Sequence, residues 1–546
     1  MYDWVRKDLR EFGNYIYSEK DLNELSLSKI DLAFIGSGLS STHTLIEYIN
    51  QISNQDQEFL KTDLENPLRV VMFEKDSWIW GGIPYGRRSG YTSLIITPLD
   101  EFLPESELSI FIEWMSENYS WLIAPFKKNP GDRSKQWLRD SEEKIMSKDS
   151  AGIHIPRYFF GIYIWDKLKD AITKTNQNVK IDFVNSEVFE INSKSIDENI
   201  EYEILVGNKS ILRADQVLLG VGIPQIRSLD NSQVEPKDIL FLNDPYNPDL
   251  ESSLQDINKY IESKTSTKIL IVGANASALE LIYQITNLSS FKENQITFTV
   301  ISPQGKLPDL YIKNKVTDFT AENLENLYKL NENITADDIL DALQKDLNYA
   351  DANNYDISDT LPVFTNHVGN LIKKLSKKEK YEFISYHGVE IGRLQRRAGL
   401  EYTQPIFELI ESKKLKFVKG KFTKLDEKDG KTMVNFINVE EHTKADFFNV
   451  VINCAGSSGL TKDGMTPLLS QLKSSGICKP TKSNHGFQVN NKFQIQPGFF
   501  INGPLLAGNV VGEMGIWHVE HCGRIISFSK EIAKNMIDEK SSFNET

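Results

Sequence analysis

Gly36-Ser37-Gly38 follows an apolar run of strand length, Leu32–Ile35, and leads into Leu45, Ile46, Ile49 and Ile52 at helical spacing. A strand, a tight glycine turn and a helix in that order suit the pyrophosphate of a dinucleotide. Gly36 allows the sharp turn, and Gly38 places no side chain between backbone and phosphate. Ser40 and Ser41 follow at the helix start, Ser41 where a small third residue lets the helix pack close to the strand. The amide groups there face the anion. The next apolar run, Leu68–Phe73, ends in Glu74, a carboxylate suited to ribose hydroxyls. Glu74 lies beyond the usual spacing of roughly 20 residues, and the polar segment Ser53–Pro67 accounts for the excess as an inserted loop.

The same arrangement recurs. Lys268–Gly273 reads as a strand, Ala276–Ile285 as a helix and Gln295–Ile301 as the following strand. Their junction, Gly273-Ala274-Asn275-Ala276-Ser277-Ala278, keeps the first glycine and a small third residue, with Asn275 in place of the middle glycine. Asparagine tolerates unusual backbone angles, but its side chain intrudes where a pyrophosphate approaches. The second strand ends in Ser302-Pro303-Gln304-Gly305-Lys306, with no acid to repel a 2′-phosphate, which favours NADP over NAD. Farther on, Arg393, Arg396 and Arg397 offer planar guanidinium groups for a phosphate, with surface salt bridges as the alternative.

The elements that must hold these turns in place read as an α/β protein. After Glu74, the segment Gly81-Gly82 to Pro84-Tyr85-Gly86 is expected to be non-helical, and Trp78, Trp80, Tyr85 and Tyr91 either cover a flat ring or anchor a loop. Helices are expected over Glu105–Trp121 and Trp137–Ser147, and strands over Val179–Val184, Glu187–Ile191 and Tyr202–Leu205. Arg213–Gly222 is a buried strand closed by glycines, and Phe447–Cys454, ending in Ala455-Gly456, echoes it. Pro224–Thr265 reads as a linker, Leu310–Lys380 as a helical insertion, and Leu415–Phe422 with Met433–Val439 as a β-ribbon. The last segment gives strand Phe499–Asn502, the turn Gly503-Pro504-Leu505, and a helix through Trp517, Val519 and Ile525 that also carries His518 and His521.

Composition limits the function. The chain has 546 residues and a formal charge of 62 − 76 = −14, which argues against a nucleic-acid partner. No apolar run approaches the roughly 20 residues of a membrane span. The N-terminal stretch reads as an amphipathic helix rather than a secretory signal. Cys454, Cys478 and Cys522 are odd in number and contain no C-x-x-C pair, which points to a cytoplasmic protein without a redox dithiol. The eight histidines show no metal-ligand spacing, so no metal is expected.

With GSGLSS, GGIPYG and INGPLLAG followed by Glu513 in that order, the chain resembles bacterial FAD–NAD(P)-binding oxidoreductases of the two-Rossmann class, related to flavin-containing and N-hydroxylating monooxygenases. The F-x-G-x-x-x-H signature of Baeyer–Villiger and flavin-containing monooxygenases is absent. The resemblance implies two Rossmann-like domains: a discontinuous FAD domain over 30–245 and 457–546, and an NAD(P) domain over 246–456. Residues 1–29 form an N-terminal extension and about 306–392 the helical insertion. Gly36, Gly38, Ser40 and Ser41 would hold the FAD pyrophosphate, Glu74 its ribose, and Val188 its adenine. Trp80, Gly82, Tyr85, Thr97 and Pro98 would line the flavin end, with Gly222 at the strand exit and Gly503, Pro504 and Leu505 near the isoalloxazine. Gly273, Asn275, Ser277 and Ala278 would serve NADPH; Arg393, on its residue type alone, is a further candidate for that cofactor's phosphate. The implied activity is flavin-dependent oxygenation of a small-molecule substrate. An FAD oxidase or dehydrogenase that does not use NAD(P)H, or a flavin-binding sensor, stands as the alternative.

Overall fold

The computed structural model describes residues 16–18, 22, 29–54, 67–76, 79–128, 131–175, 178–196, 199–207, 210–229, 236, 238–291, 295–330, 333–440, 442–461 and 464–544. Most of the expected N-terminal helix, most of the inserted loop Ser53–Pro67, and Trp78 lie outside these residues. Where the N-terminal stretch is described, Ile16–Tyr17 is a strand rather than a helix. The chain divides into two compact units. One comprises Met1–Arg87, Phe160–Gln225 and Ser458–Thr546, and the other Arg88–Phe159 and Ile226–Ser457. Residues 88–159, grouped by the sequence with the first domain, thus belong to the second unit.

The first unit is built on strands Ile30–Ile35, Leu68–Phe73 and Val179–Val184, each with the same pattern of one partly covered residue among buried ones. Strands covered on both faces lose alternation and read as continuous apolar runs, which is why they are parallel and central. The sheet runs Ile16–Tyr17, Val179–Val184, Leu68–Phe73, Ile30–Ile35, Ser210–Leu219, Phe499–Ile501, Gln494–Gln496. All neighbours are parallel except the last pair. Val188–Ile196 and Asn199–Val206 form an antiparallel excursion from the edge of Ser210–Leu219. Helix Leu39–Asn54 and the final helix Cys522–Asn544 pack together, with Thr44 Oγ1 on Ser529 Oγ at 3.3 Å and Gln51 Nε2 on the Lys530 carbonyl at 3.0 Å. Trp517 and Val519, expected on that last helix, precede it. They follow a two-stranded hairpin, Asn509–Val511 with Met514–Ile516, and His518 and His521 also lie before the helix.

The second unit repeats the plan. Its parallel core runs Leu415–Lys428, Gln295–Ser302, Ser266–Val272, Val450–Asn453, Leu240–Leu242. As in the first sheet, the strand before the glycine turn lies between its successor and the exit strand. The expected β-ribbon is present as Leu415–Lys428 with Lys431–Asn438, bulged between Phe422 and Lys424, and Thr443–Asp446 adds an exposed edge. The helical insertion is real and well capped: Thr335 with Asp338, and Asp356 with Asp359, form reciprocal capping boxes. Phe383–His387 is a π-helical turn within it. Segment 88–159 is tied into this unit by the buried carboxylate of Glu280, which accepts from Ser93 Oγ at 2.5 Å, Arg157 Nη2 at 2.7 Å and Tyr246 Oη at 3.0 Å.

Candidate dinucleotide sites

In the first turn, Gly36 sits at φ +96°, outside the range comfortable for L side chains. Its N–H donates to the Phe73 carbonyl at 2.8 Å, and a Cβ there would lie 2.7 Å from the Gly220 carbonyl oxygen. The turn is therefore pinched between the ends of two neighbouring strands. Further glycines complete a cradle. A Cβ on Gly82 would meet Gly38 Cα at 3.3 Å, one on Gly220 would meet Ser41 Oγ at 2.2 Å, and one on Gly503 would meet Ser40 Oγ at 2.4 Å. Backbone is thus bared around the start of helix Leu39–Asn54, and Ser41 Oγ is buried there with no hydrogen-bond partner among the described residues. A cradle of backbone amides without side chains suits a pyrophosphate, so the residues fit the dinucleotide implied by the motif.

Glu74 extends from the strand next to the turn. Its Oε2 accepts from Ser37 N–H at 3.0 Å and Ser37 Oγ at 2.8 Å, and its Oε1 accepts from Asp76 N–H at 3.0 Å. Burial raises its pKa despite these bonds. The expected irregular segment after Glu74 contains one short helix, Gly82–Tyr85. Trp80 and Gly81 just before it and Gly82 at its start all have positive φ, and at Trp80 (φ +107°) this is strain that the surroundings must enforce. They do so by burying the side chain to 2% exposure, by accepting its N–H on Ser37 Oγ at 3.0 Å, and by setting its ring edge-on to Trp165 at 5.0 Å. Trp80 is thus a packed wall rather than an open ring face. Tyr85, edge-on to Phe160 at 5.2 Å, shares with Leu39, Thr42, Trp80 and Gly161 the lining of a small cleft.

Two residues escaped the sequence reading. Ser37 links Glu74 and Trp80 through one hydroxyl. Asn502, 1% exposed, accepts from Gly503 N–H at 2.7 Å and donates to Thr44 Oγ1 and Ser529 Oγ, both at 2.9 Å, and to the Ser40 carbonyl at 3.3 Å. It joins the Gly503-Pro504-Leu505 turn to both helices of the cradle. An asparagine directly before a glycine turn was the available signal. Pro504 and Leu505 lie on a single 3₁₀ turn, with Leu505 buried. Val188 is buried at the start of the antiparallel excursion, and Gly222, at φ +77°, follows the exit strand with open space where a Cβ would be. Thr97 and Pro98 fall in the second unit, where Pro98 caps helix Leu99–Phe102.

The second turn reproduces the first pinch. Gly273 (φ +108°) donates to Ile301 O at 2.8 Å, and a Cβ would lie 2.1 Å from the Cys454 carbonyl. Asn275, however, turns its side chain back as an N-cap and accepts from Ser277 N–H at 3.1 Å. It occupies one of the amides that an anion would use. Ala278 is fully buried, as the small third position requires. The three arginines separate. Arg393 is exposed on helix Gly388–Leu394, Arg397 pairs with Glu101 at 3.1 Å and covers the Tyr311 ring at 5.1 Å, and Arg396 Nη1 donates to the Ala274 carbonyl at 2.9 Å. The structure thus brings Arg396, rather than Arg393, to the glycine turn. Among the described residues no cluster of His, Cys, Asp or Glu is placed to hold a metal, and no helix is long and apolar enough to cross a membrane.

Residues 33–224 match the FAD-NAD(P)-binding family model. Along 516 residues the chain is 28% identical to uncharacterized proteins of Mycobacterium bovis and Mycobacterium tuberculosis, covering 93% of this chain and 95% of each relative. Among solved structures it is similar to the reduced form of ornithine hydroxylase from Pseudomonas aeruginosa, with a TM-score of 0.51, 10% identity, and coverage of 94% of this chain and 100% of that one. It is also similar to the ornithine N-hydroxylase of Kutzneria sp. 744, with a TM-score of 0.50, 12% identity and the same coverage. Residues 33–224 thus match an FAD-NAD(P)-binding domain, and the chain shares the fold of these two hydroxylases.

Proposed function

We propose that this chain is an FAD-dependent oxidoreductase, reduced by NADPH and acting as a monooxygenase on a small molecule in the cytoplasm. The observation that carries this reading is the glycine cradle around Gly36–Ser41, with Glu74 at the end of the adjoining strand. In this reading the first unit, Met1–Arg87 with Phe160–Gln225 and Ser458–Thr546, supplies the FAD side, and the second, Arg88–Phe159 with Ile226–Ser457, the NADPH side. The bound flavin would supply hydride acceptance and oxygen activation, chemistry that side chains lack. The chain's own residues do the rest. Amides of Gly38–Ser41 hold pyrophosphate, and Glu74, whose carboxylate is already oriented by Ser37, accepts from ribose hydroxyls. Asn502 takes the Gly503 N–H and Pro504 has none, so the braced turn offers the Leu505 main-chain N–H to negative charge. Trp80 and Tyr85 exclude water from the cleft. The similar Kutzneria N-hydroxylase was solved with reduced FAD, NADP⁺ and L-ornithine, which supports paired cofactors in this fold.

One observation favours a second reading. Asn275 caps its own helix and competes for an anion-binding amide, as suits an FAD oxidase or dehydrogenase that dispenses with NAD(P)H. Anaerobic mixing of the FAD-loaded protein with NADPH, then NADH, decides between them. Bleaching of the flavin absorbance by NADPH is expected. No reduction by either nucleotide refutes the leading reading and favours the second.

A further inference from the structure

We infer that Arg396 is the phosphate-binding cation of the second dinucleotide site. This deepens the proposed use of NADPH and rests on it. The guanidinium is anchored on the turn itself, because Ala274, whose carbonyl it holds at 2.9 Å, lies between Gly273 and Asn275. The Arg396 backbone belongs to a different part of the site. Its carbonyl accepts from Asp309 N–H at 3.2 Å, Arg397–Ala398 pairs in parallel with Asp309–Leu310, and Tyr311 N–H donates to the Ala398 carbonyl at 3.1 Å.

These contacts pin the loop that leaves strand Gln295–Ser302. In a βαβ unit the end of that second strand is where the adenosine ribose is read, and here it carries Ser302 and Lys306 with no carboxylate between them. One arginine therefore joins the pyrophosphate turn to the loop that faces the ribose.

Charge explains why a cation is needed there. Asn275 takes Ser277 N–H for its own side chain, so the helix start offers an anion less than an open glycine turn would. A guanidinium compensates with a planar fork of donors matched to phosphate oxygens. Of the three arginines Arg396 is the one whose guanidinium lies on the glycine turn, whereas Arg397 lies against Glu101 and Tyr311 and Arg393 is exposed on its helix. The strand that brings Arg396 to the turn lies directly after the helical insertion, so the insertion sets the position of this cation.

The test is calorimetric binding of NADP⁺ and of NAD⁺ to the full-length, FAD-loaded protein. Arg396→Ala is expected to weaken NADP⁺ about tenfold or more, the loss of one charge-assisted contact. A loss confined to NADP⁺ assigns the 2′-phosphate, and an equal loss for NAD⁺ assigns the pyrophosphate. Arg396→Lys keeps the charge and a donor for Ala274 without the fork, gives an intermediate loss, and serves if the alanine variant fails to fold. Wild-type NADP⁺ affinity in the lysine variant and in any folded alanine variant overturns the assignment, as does a loss seen with Arg393→Ala in its place. If the wild-type protein itself binds neither dinucleotide, both this inference and the NADPH reading fall.

Discussion

Gly36 and Gly38 are two residues apart in one turn, yet their substitution by alanine has opposite expected consequences. At Gly36 a methyl group meets only backbone: Gly220 O at 2.7 Å, Gly220 C at 3.1 Å and Val221 Cα at 3.3 Å, with φ at +96°. Nothing there can rotate away. The unfavourable backbone region and the overpacking together cost about 2–5 kcal/mol, a loss carried by the protein even without cofactor. At Gly38 the nearest atom to a new Cβ is Gly82 Cα at 3.7 Å, ordinary contact, and φ lies outside the left-handed region. Removing glycine from the start of helix Leu39–Asn54 costs about 1 kcal/mol or less. The methyl instead stands in the path proposed for the pyrophosphate. Losing one charge-assisted hydrogen bond there costs about 1.5–3 kcal/mol, or roughly 10- to 100-fold in FAD affinity. Gly38→Glu, which adds a carboxylate in the same place, should abolish FAD retention. Urea unfolding of the apoprotein followed by tryptophan fluorescence reads the first effect, and titration with FAD followed by flavin fluorescence reads the second. Wild-type FAD affinity in Gly38→Ala would refute the pyrophosphate placement. A Gly36→Ala apoprotein as stable as wild type would refute the argument from the pinch.

Asn275→Gly removes a cap at a cost of a few tenths of a kcal/mol and frees Ser277 N–H, so NADP⁺ binding measured by calorimetry should tighten; weaker binding would make Asn275 a ligand instead. Asn502→Ala takes the Asn502 partner from the buried Gly503 N–H, removes one of several bonds at Thr44 Oγ1 and at Ser529 Oγ, and should lower apoprotein stability by about 1–3 kcal/mol in urea. His43, 1% exposed on helix Leu39–Asn54, has its pKa lowered from 6.5 to about 3, first by burial and then by Lys167. Its neutral form therefore contributes stability that is complete above pH 6.5 and is lost as pH falls towards 3, with a slope of up to about 1.4 kcal/mol per pH unit. His43→Leu should flatten that acid limb, so an equal fall in urea midpoint from pH 7 to pH 5 in both proteins would remove His43 as its source.

Much of the architecture was legible because its signals are local. Ile30–Ile35 and Leu68–Phe73 are apolar on both faces, so their sequence alone marks buried parallel strands. Gly36 and Gly273 punctuate those strands in a way few other residues could. Contacts between distant segments were not legible. Three arginines within five positions look equivalent in sequence, and only the bond from Arg396 to the distant Ala274 carbonyl selects it. The Ser93 and Arg157 bonds to Glu280 span 187 and 123 positions, and they place segment 88–159 with the second sheet. At the C-terminal end, apolar spacing through Trp517 and Val519 imitates a helix. Gly508 and Gly512, at φ +90° and +58°, instead turn the chain through a hairpin first.

The first unit's division into three segments sets a timetable for the nascent chain. The first glycine turn is translated early, but Ser40 waits 462 positions for the Asn502 amide that braces it. At the usual pace of synthesis that wait is on the order of a minute. Throughout it, Val217–Leu219 presents an uncovered parallel edge where Phe499–Ile501 will later dock, while the last segment of the second unit, ending at Ser457, has already emerged. On the proposed reading, stable FAD capture by the first unit follows the docking of that last segment, and until then its open strand edge is exposed to mispairing.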